Sequence, residues 1–153
     1  MLKSTVMSKL RWMSGALLLL ATAASHAVDF KTVGAAPVIL YDAPSAKGGK
    51  LYVAPRGMPL EVVLSYGEWV KVRDASGEMA WTEAKGLSAK RNVVARAGNL
   101  KVRASPDDSS SAVLLVDKGV LLEMSEQPNG NWLKVRHKDG QVGYVKTSEV
   151  WGL

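Results

Sequence analysis

Short runs of alternating apolar and polar residues, separated by turn-forming residues, fill most of this chain. In the stretch "EWVKVRD", Val70 and Val72 point to one side of an extended strand, and Trp69, Lys71 and Arg73 point to the other. A period of two residues is typical of a β-strand with one face in a core, and no helical period of useful length follows the first 27 residues. The pattern predicts an all-β protein.

The predicted strands fall into two similar sets. The first set is "VILY", "PLEVVLSY", "EWVKVRD" and "EMAWT", and the second is "NLKVR", "AVLLV", "VLLEMSEQ", "NWLKVRH" and "QVGYVK". A loop that contains Pro, Asp and Ser follows the first strand of each set. About five short strands in about 55 residues predict a small antiparallel barrel for each set.

The two sets are copies of one unit. Pro44 matches Pro106 and Leu60 matches Leu122 at an offset of 62 residues. After one residue inserted within "SEQPNG", the offset becomes 63, and "GEWVKVRDASGE" matches "GNWLKVRHKDGQ". A length change inside a glycine-containing turn is what a hairpin tolerates, so the shift indicates an internal duplication.

The duplication predicts two domains. We place the first at residues 34–88 and the second at 97–153, with a connector at 89–96. The connector has an apolar "VVA" between basic residues, so a strand shared by the two units is an alternative to a loose tether.

Residues 1–27 have the pattern of a cleaved signal peptide. Three basic residues precede the apolar "GALLLLATAA", and Ser25-His26-Ala27 offers small residues at the cleavage site. The uncharged run from Trp12 to Ala24 has 13 residues, whereas a membrane-spanning helix needs roughly 20. We therefore expect an exported, periplasmic protein without stable membrane insertion after cleavage.

Composition narrows the function classes. The chain has no cysteine, which excludes disulfides, thiol catalysis and thiolate metal sites. Three of the 20 basic residues and none of the 14 acidic residues lie in the predicted signal, so the mature chain has 17 basic and 14 acidic residues and a net charge of +3. This small excess favours anionic partners slightly, but it is not the dense basic stripe of a nucleic-acid-binding protein.

Several of these stretches resemble bacterial SH3 domains. The resemblance is carried by "GMPLEVV", "GEWVKVRDASGEMAWTEAKGLS" and "GNWLKVRHKDGQVGYVKTSEVWG", and "LKVRASPDD" is similar to the Arg-x-x-Pro start of that family. The resemblance implies two tandem SH3-like barrels that bind peptides or cell-wall material without catalysis of their own. The first unit departs from the pattern, with Tyr41 in place of Arg103 and Ala80 in place of Gly143.

The candidate ligand-binding residues share the outward face of one strand in each unit. They are Trp69, Lys71 and Arg73 in the first unit and Trp132, Lys134 and Arg136 in the second. A tryptophan can stack on a sugar or a peptide side chain, while Arg and Lys can hold a carboxylate. The alternative is that each tryptophan caps its own barrel and that the cations form a solvated strand face.

Further candidates lie in loops and on other strands. Asp107 and Asp108 either receive a cationic ligand or bond their own backbone in a turn. Tyr41, with Tyr52 and Tyr66, either lines a groove or reflects strand preference alone.

Enzyme chemistry finds little support. His137 is the single histidine after the predicted signal, so neither a Ser-His-Asp arrangement nor a histidine metal cluster is easily assembled. We expect no catalytic residue, no metal and no cofactor.

Two functions remain as hypotheses. The first is an exported, non-catalytic module that recognises peptide or glycan of the cell wall. The second is a scaffold that binds another periplasmic protein.

Overall fold

A computed structural model describes residues 27–153 of the chain. The described part forms two antiparallel sheets of seven strands each, which confirms the predicted all-β fold of two small barrels. The predicted signal peptide, at residues 1–27, lies outside the described residues except for its last position.

The first barrel contains the first seven strands. They are β1 (Asp29–Val33), β2 (Val38–Tyr41), β3 (Lys50–Ala54), β4 (Pro59–Tyr66), β5 (Trp69–Arg73), β6 (Met79–Glu83) and β7 (Leu87–Ser88). A short 3₁₀ helix at Ala84–Gly86 precedes β7. The strand order across the sheet is β3-β2-β6-β5-β4-β1-β7.

The second barrel repeats this arrangement. Its strands are β8 (Asn92–Ala95), β9 (Leu100–Arg103), β10 (Ala112–Val116), β11 (Leu121–Met124), β12 (Trp132–Arg136), β13 (Val142–Lys146) and β14 (Val150–Trp151). A 3₁₀ helix at Thr147–Glu149 precedes β14. The order β10-β9-β13-β12-β11-β8-β14 is that of the first sheet, strand for strand.

The stretch predicted as a connector, 89–96, contains β8. This strand pairs with β11 and β14, just as β1 pairs with β4 and β7. The pairing places β8 in the second sheet, and it places β1, which precedes residue 34, in the first. The domain boundaries of the sequence analysis stay a prediction.

Each barrel has its own aliphatic core. Leu40, Leu60 and Val72 are at most 1% exposed in the first barrel, and Leu133 and Val135 are fully buried in the second. Burying one such side chain contributes roughly 1.5–3 kcal/mol. Alternation along β5 and β12 therefore turns the aliphatic residues inward, as the sequence predicted.

The β5–β6 turn of the first barrel is organised by a buried carboxylate. Asp74 accepts hydrogen bonds from the backbone N–H groups of Ser76 and Glu78, at 2.9 and 3.0 Å, and from the hydroxyl of Tyr52. Burial by itself raises the pKa of Asp74, but the hydrogen bonds from Ser76, Tyr52 and Glu78 outweigh it and hold that pKa below its ordinary value. Burial, followed by the bond to Asp74, raises the pKa of Tyr52.

The second barrel has different residues at both positions of the Tyr52–Asp74 pair. His137 stands where Asp74 stands in the first barrel, and Leu114 stands in place of Tyr52. One bond of the turn is kept. Nδ1 of His137 accepts from the backbone N–H of Asp139 at 3.3 Å, as Asp74 accepts from the backbone N–H of Ser76.

Aromatic, cation–π and hydrogen-bond contacts join the two barrels. The rings of Phe30 and Trp151 meet edge to face with centroids 5.0 Å apart, and the guanidinium carbon of Arg91 lies 5.5 Å from the Phe30 centroid. Asn92, only 9% exposed, donates from Nδ2 to the carbonyl of Gly57 at 2.8 Å. These contacts join the start of the second barrel and the C-terminal strand to the first barrel.

Replacing Asp74 with Asn is expected to lower the free energy of unfolding at pH 7 by about 1–3 kcal/mol, because the acceptor of Tyr52, Ser76 and Glu78 loses its charge. A carboxyl with a lowered folded pKa stabilises the fold above its unfolded pKa of about 3.9, and this contribution is lost as the pH falls through the folded pKa. Urea unfolding at pH 7 and pH 3 should therefore show a difference between variant and wild type that shrinks at low pH. The exposed Asp117→Asn change is the control, and an equal loss at both pH values would contradict the prediction.

Replacing Gly143 with Ala is expected to destabilise the second barrel by roughly 1–3 kcal/mol. A Cβ atom at Gly143 would lie 2.6 Å from the backbone oxygen of Arg103 and 2.6 Å from a Val102 methyl. Thermal unfolding measures the effect, with Gly98→Ala as control because no atom lies within 4 Å of its Cβ position. Equal stability of the two variants would show that β13 can move away from β9 at little cost.

Candidate ligand-binding faces

The outer side of the first barrel brings aromatic residues of four strands together. Backbone register places Tyr41 opposite Trp81 and Trp81 opposite Lys71. The rings of Tyr41 and Trp69 meet edge to face with centroids 5.5 Å apart, and Nζ of Lys71 lies 6.0 Å from the Trp81 centroid. Tyr66, which is 67% exposed, contacts Trp81 at 6.5 Å between ring centroids. We call these five residues the aromatic face.

A cleft of about 660 Å³ opens beside the aromatic face. Tyr41 lines it together with Val38, Ile39 and the backbone of the loop before β2. Glu83 and Lys85 supply charge to its lining, and their side chains pair with each other at 2.8 Å. Tyr41 thus belongs to both the aromatic face and the cleft.

The matching side of the second barrel is more basic. Register places Tyr144 opposite both Arg103 and Lys134, and Trp132 opposite Lys146. Nζ of Lys146 lies 5.9 Å from the Trp132 centroid, within the range of a cation–π contact. We call these five residues the cationic face, because three of them are basic.

Acidic side chains restrain two cations of this face. Lys146 pairs with Asp108 at 2.6 Å, and Lys134 pairs with Glu126 at 3.2 Å. The hydrogen bond that Lys134 donates to Glu126 raises the pKa of Lys134. Since Asp108 and Glu126 are 68% and 61% exposed, both pairs remain open to exchange with a ligand.

Asp107 takes part in the turn and not in the face. Its carboxylate accepts from the backbone N–H and the hydroxyl of Ser109, both at 2.9 Å. These two bonds lower the pKa of Asp107. The geometry matches the local turn that the sequence analysis set against a ligand-binding role.

The two arginines are separated from the tryptophans of their strands. Trp132 and Arg136 share a side of β12, but four residues along a strand span roughly 13 Å. Arg136 instead pairs with Glu123 at 2.8 Å, and Arg73 pairs with Glu61 at 2.9 Å. In each barrel the arginine therefore forms an ion pair with a glutamate of the neighbouring strand, Glu61 in the first and Glu123 in the second.

Lys90 joins the pair in the second barrel, with Nζ 3.1 Å from the other carboxylate oxygen of Glu123. The hydrogen bonds from Lys90 and then Arg136 outweigh desolvation and lower the pKa of Glu123. The sequence candidates thus divide among different surfaces: Tyr41, Trp69 and Lys71 lie together, Trp132 and Lys134 lie together, and the arginines lie apart.

Four residues of these faces were absent from the sequence candidates: Trp81, Arg103, Tyr144 and Lys146. A signal for Trp81 exists, because it alternates with the core residues Ala80 and Thr82 and stands across the hairpin from Lys71. Applying the hairpin register of β5 and β6 to the second copy would have found Tyr144 and Lys146 as well.

The arrangement suits binding through stacking, hydrogen bonds and charge. Within residues 27–153, no three His, Asp or Glu side chains form a group that could hold a metal ion. No helix in this part of the chain has the length and apolarity needed to span a membrane.

Comparison with known proteins identifies both units. The sequence profile of the bacterial SH3 domain matches residues 34–88 and 96–152. No curated protein sequence matches the chain.

Among solved structures, the chain is similar to NlpC2 from Trichomonas vaginalis, with 8% identity and a TM-score of 0.38 over 83% of this chain and 49% of that one. NlpC1 from the same organism shows 11% identity and a TM-score of 0.38 over 90% and 50%. An NlpC/P60 family protein from Bacillus cereus shows 14% identity and a TM-score of 0.36 over 80% and 56%. This chain spans about half the length of each.

Replacing Glu123 with Gln is expected to lower the free energy of unfolding by no more than about 1 kcal/mol, because its ion pairs with Lys90 and Arg136 are half exposed and screened by water. Urea unfolding measures the change. Glu61→Gln, which loses the matching pair with Arg73, is the control and should behave alike. A loss of several kcal/mol at Glu123 alone would mean that its ion pairs hold the second barrel together.

Proposed function

The chain belongs to the bacterial SH3 domain family, and from this premise we propose that it is an exported, non-catalytic module that binds peptide or glycan of the cell wall. The pattern of residues 1–27 supports the exported, periplasmic location. The binding residues of the proposal are those of the aromatic face and the cationic face.

The observation that carries the proposal is the position of Tyr41. Its ring packs on Trp69 within the aromatic face and also lines the adjoining cleft. An aromatic ring offers a flat apolar surface to a sugar ring or a peptide side chain, while polar groups at the cleft wall orient the ligand. A chain segment lying in the cleft can therefore stack on the aromatic face at the same time.

The cationic face suits a different part of the same polymer. Arg103, Lys134 and Lys146 surround Trp132 and Tyr144, and two of the cations hold exposed carboxylates. A carboxylate of a wall peptide can take the place of Asp108 or Glu126 there. We therefore assign glycan stacking to the aromatic face and carboxylate recognition to the cationic face.

A scaffold for periplasmic proteins is the second candidate, and one observation favours it. Leu51 and Val53 on edge strand β3 are 51% and 60% exposed, and the matching Val113 and Leu115 on edge strand β10 are 43% and 58% exposed. Exposed apolar residues on a sheet edge are a feature of strands that pair with another chain.

Co-sedimentation with purified cell-wall sacculi tests the proposal. We expect the wild-type protein to bind at low and at high salt, since stacking on aromatic rings is not screened by ions. The double variant Trp69→Ala, Trp132→Ala is expected to lose at least about tenfold in affinity, because it removes a tryptophan ring from each face.

A matched control keeps the test specific. Leu51→Ala with Val113→Ala changes equivalent exposed positions on the two edge strands and should leave sacculus binding intact. Circular dichroism and thermal unfolding establish that each variant is folded. No binding by the wild type, or equal binding by the folded tryptophan variant, would refute the assignment. Loss of sacculus binding in the edge-strand variant alone would refute the assignment to the two faces and place wall binding on the edge strands.

A further inference from the structure

A second concave surface lies between the two barrels and is distinct from both faces. It is a groove of about 920 Å³. The turn between β3 and β4, with Arg56 and Gly57, borders it from the first barrel, and the turn between β12 and β13, with His137 and Lys138, borders it from the second. Neither barrel forms this groove alone. We call it the inter-barrel groove.

Its position is fixed by a close approach of backbone to side chain. The carbonyl of Gly57 accepts the bond from Asn92, and a Cβ atom at Gly57 would lie 3.2 Å from that amide nitrogen. The φ angle of Gly57 is +84°, a conformation that glycine adopts readily. Asn92 thereby holds the Arg56 turn against the second barrel.

The groove is strongly basic. Four cations line it, Arg56, Lys90, Arg136 and Lys138, against the single carboxylate of Glu123. This excess of three positive charges equals the net charge of the whole described chain, which has 17 basic and 14 acidic residues. Asp139, which is not part of the lining, lies 3.3 Å from His137 and is 66% exposed.

The four cations differ in how they are held. Glu123 binds Lys90 and Arg136 through one oxygen each, and each cation keeps further N–H donors. Arg56 and Lys138 have no ion-pair partner among residues 27–153 and come from opposite barrels. A ligand that bridges the groove therefore needs at least two separated anionic groups.

The remaining lining narrows the ligand class. Ala35, Val120 and Leu121 form an apolar wall beside the cations. The lining contains no Phe, Tyr or Trp side chain on which a nucleic-acid base could stack. An inorganic polyanion would leave the apolar wall without contacts. A peptide with alternating acidic and small apolar residues uses both parts of the groove.

We propose that the inter-barrel groove binds a short acidic peptide, whose carboxylates bridge Arg56 and Lys138 while its apolar side chains contact the wall formed by both barrels. This site does not depend on the aromatic or cationic face, and it holds whether or not the protein binds cell wall.

Isothermal titration of the full chain with the pentapeptide acetyl-Ala-Glu-Ala-Glu-Ala-amide tests the proposal. The variant Arg56→Gln, Lys138→Gln should bind at least about tenfold more weakly, since each charged hydrogen bond lost accounts for a factor of that order. The control Lys47→Gln, Lys118→Gln removes two exposed cations outside the groove and should change affinity by less than about twofold. Lys118 is a close match, because it occupies in the second barrel the turn position of Arg56.

Two further titrations distinguish an acidic peptide from an uncharged peptide and from an inorganic polyanion. The peptide in which Gln replaces Glu should not bind, and inorganic tripolyphosphate should bind more weakly than the acidic peptide. No binding of the acidic peptide, equal binding by both double variants, or tighter binding of tripolyphosphate would overturn the proposal. The Trp69→Ala, Trp132→Ala variant should retain peptide binding. Loss of sacculus binding and loss of peptide binding are therefore separate results, one for the two faces and one for the groove.

Discussion

Burial of one side of every central strand is the constraint from which the surface chemistry of this protein follows. A barrel of about 60 residues has a small core, so the inward positions of β5 and β12 must be aliphatic for the fold to be stable. Val72 and Val135 meet this need and are at most 1% exposed. The positions between them are free of the core requirement, and they carry tryptophan and the basic residues that form the candidate faces.

The duplicated units bury corresponding positions, and their surfaces differ. Tyr41 and Glu83 of the first barrel correspond to Arg103 and Lys146 of the second, which turns a mainly aromatic face into a cationic one. Strand order and turn geometry are unchanged, because neither position contributes to the core. Where a buried polar pair is involved, both partners change together: Tyr52 with Asp74 in one barrel corresponds to Leu114 with His137 in the other. A buried carboxylate without its donors would be unstable, so single replacement is disfavoured.

Contact between the barrels adds a property that neither copy has. Phe30, Arg91, Asn92 and Trp151 bring the two sheets together through an aromatic contact and a buried hydrogen bond. The same contacts bring the turns of Arg56 and Lys138 to one groove. A tandem arrangement can thus present an aromatic face, a cationic face and a third surface of different chemistry.

The sequence by itself determined the all-β fold, the two copies and the inward side of the main strands. Strands β2, β4 and β10 lie at the predicted residues, because alternation and turn signals are local properties of the chain. Strand β3 escaped prediction because Leu51 and Val53 are apolar yet exposed, so it does not alternate. The repeat offered a signal, since β10 is its counterpart.

Only the tertiary structure decided which candidates meet. Trp81 lies opposite Tyr41 because β6 pairs with β2, a strand distant in sequence. Arg136 forms an ion pair with Glu123 and lies apart from Trp132. The two-residue strands β7 and β14 exist only because β1 and β8 lie beside them. The inter-barrel groove depends on contacts between residues 35 to 121 positions apart, such as Asn92 with Gly57 and Phe30 with Trp151. Periodicity reports the side of a strand that is buried, but it contains no information on which distant strand or barrel lies next to it.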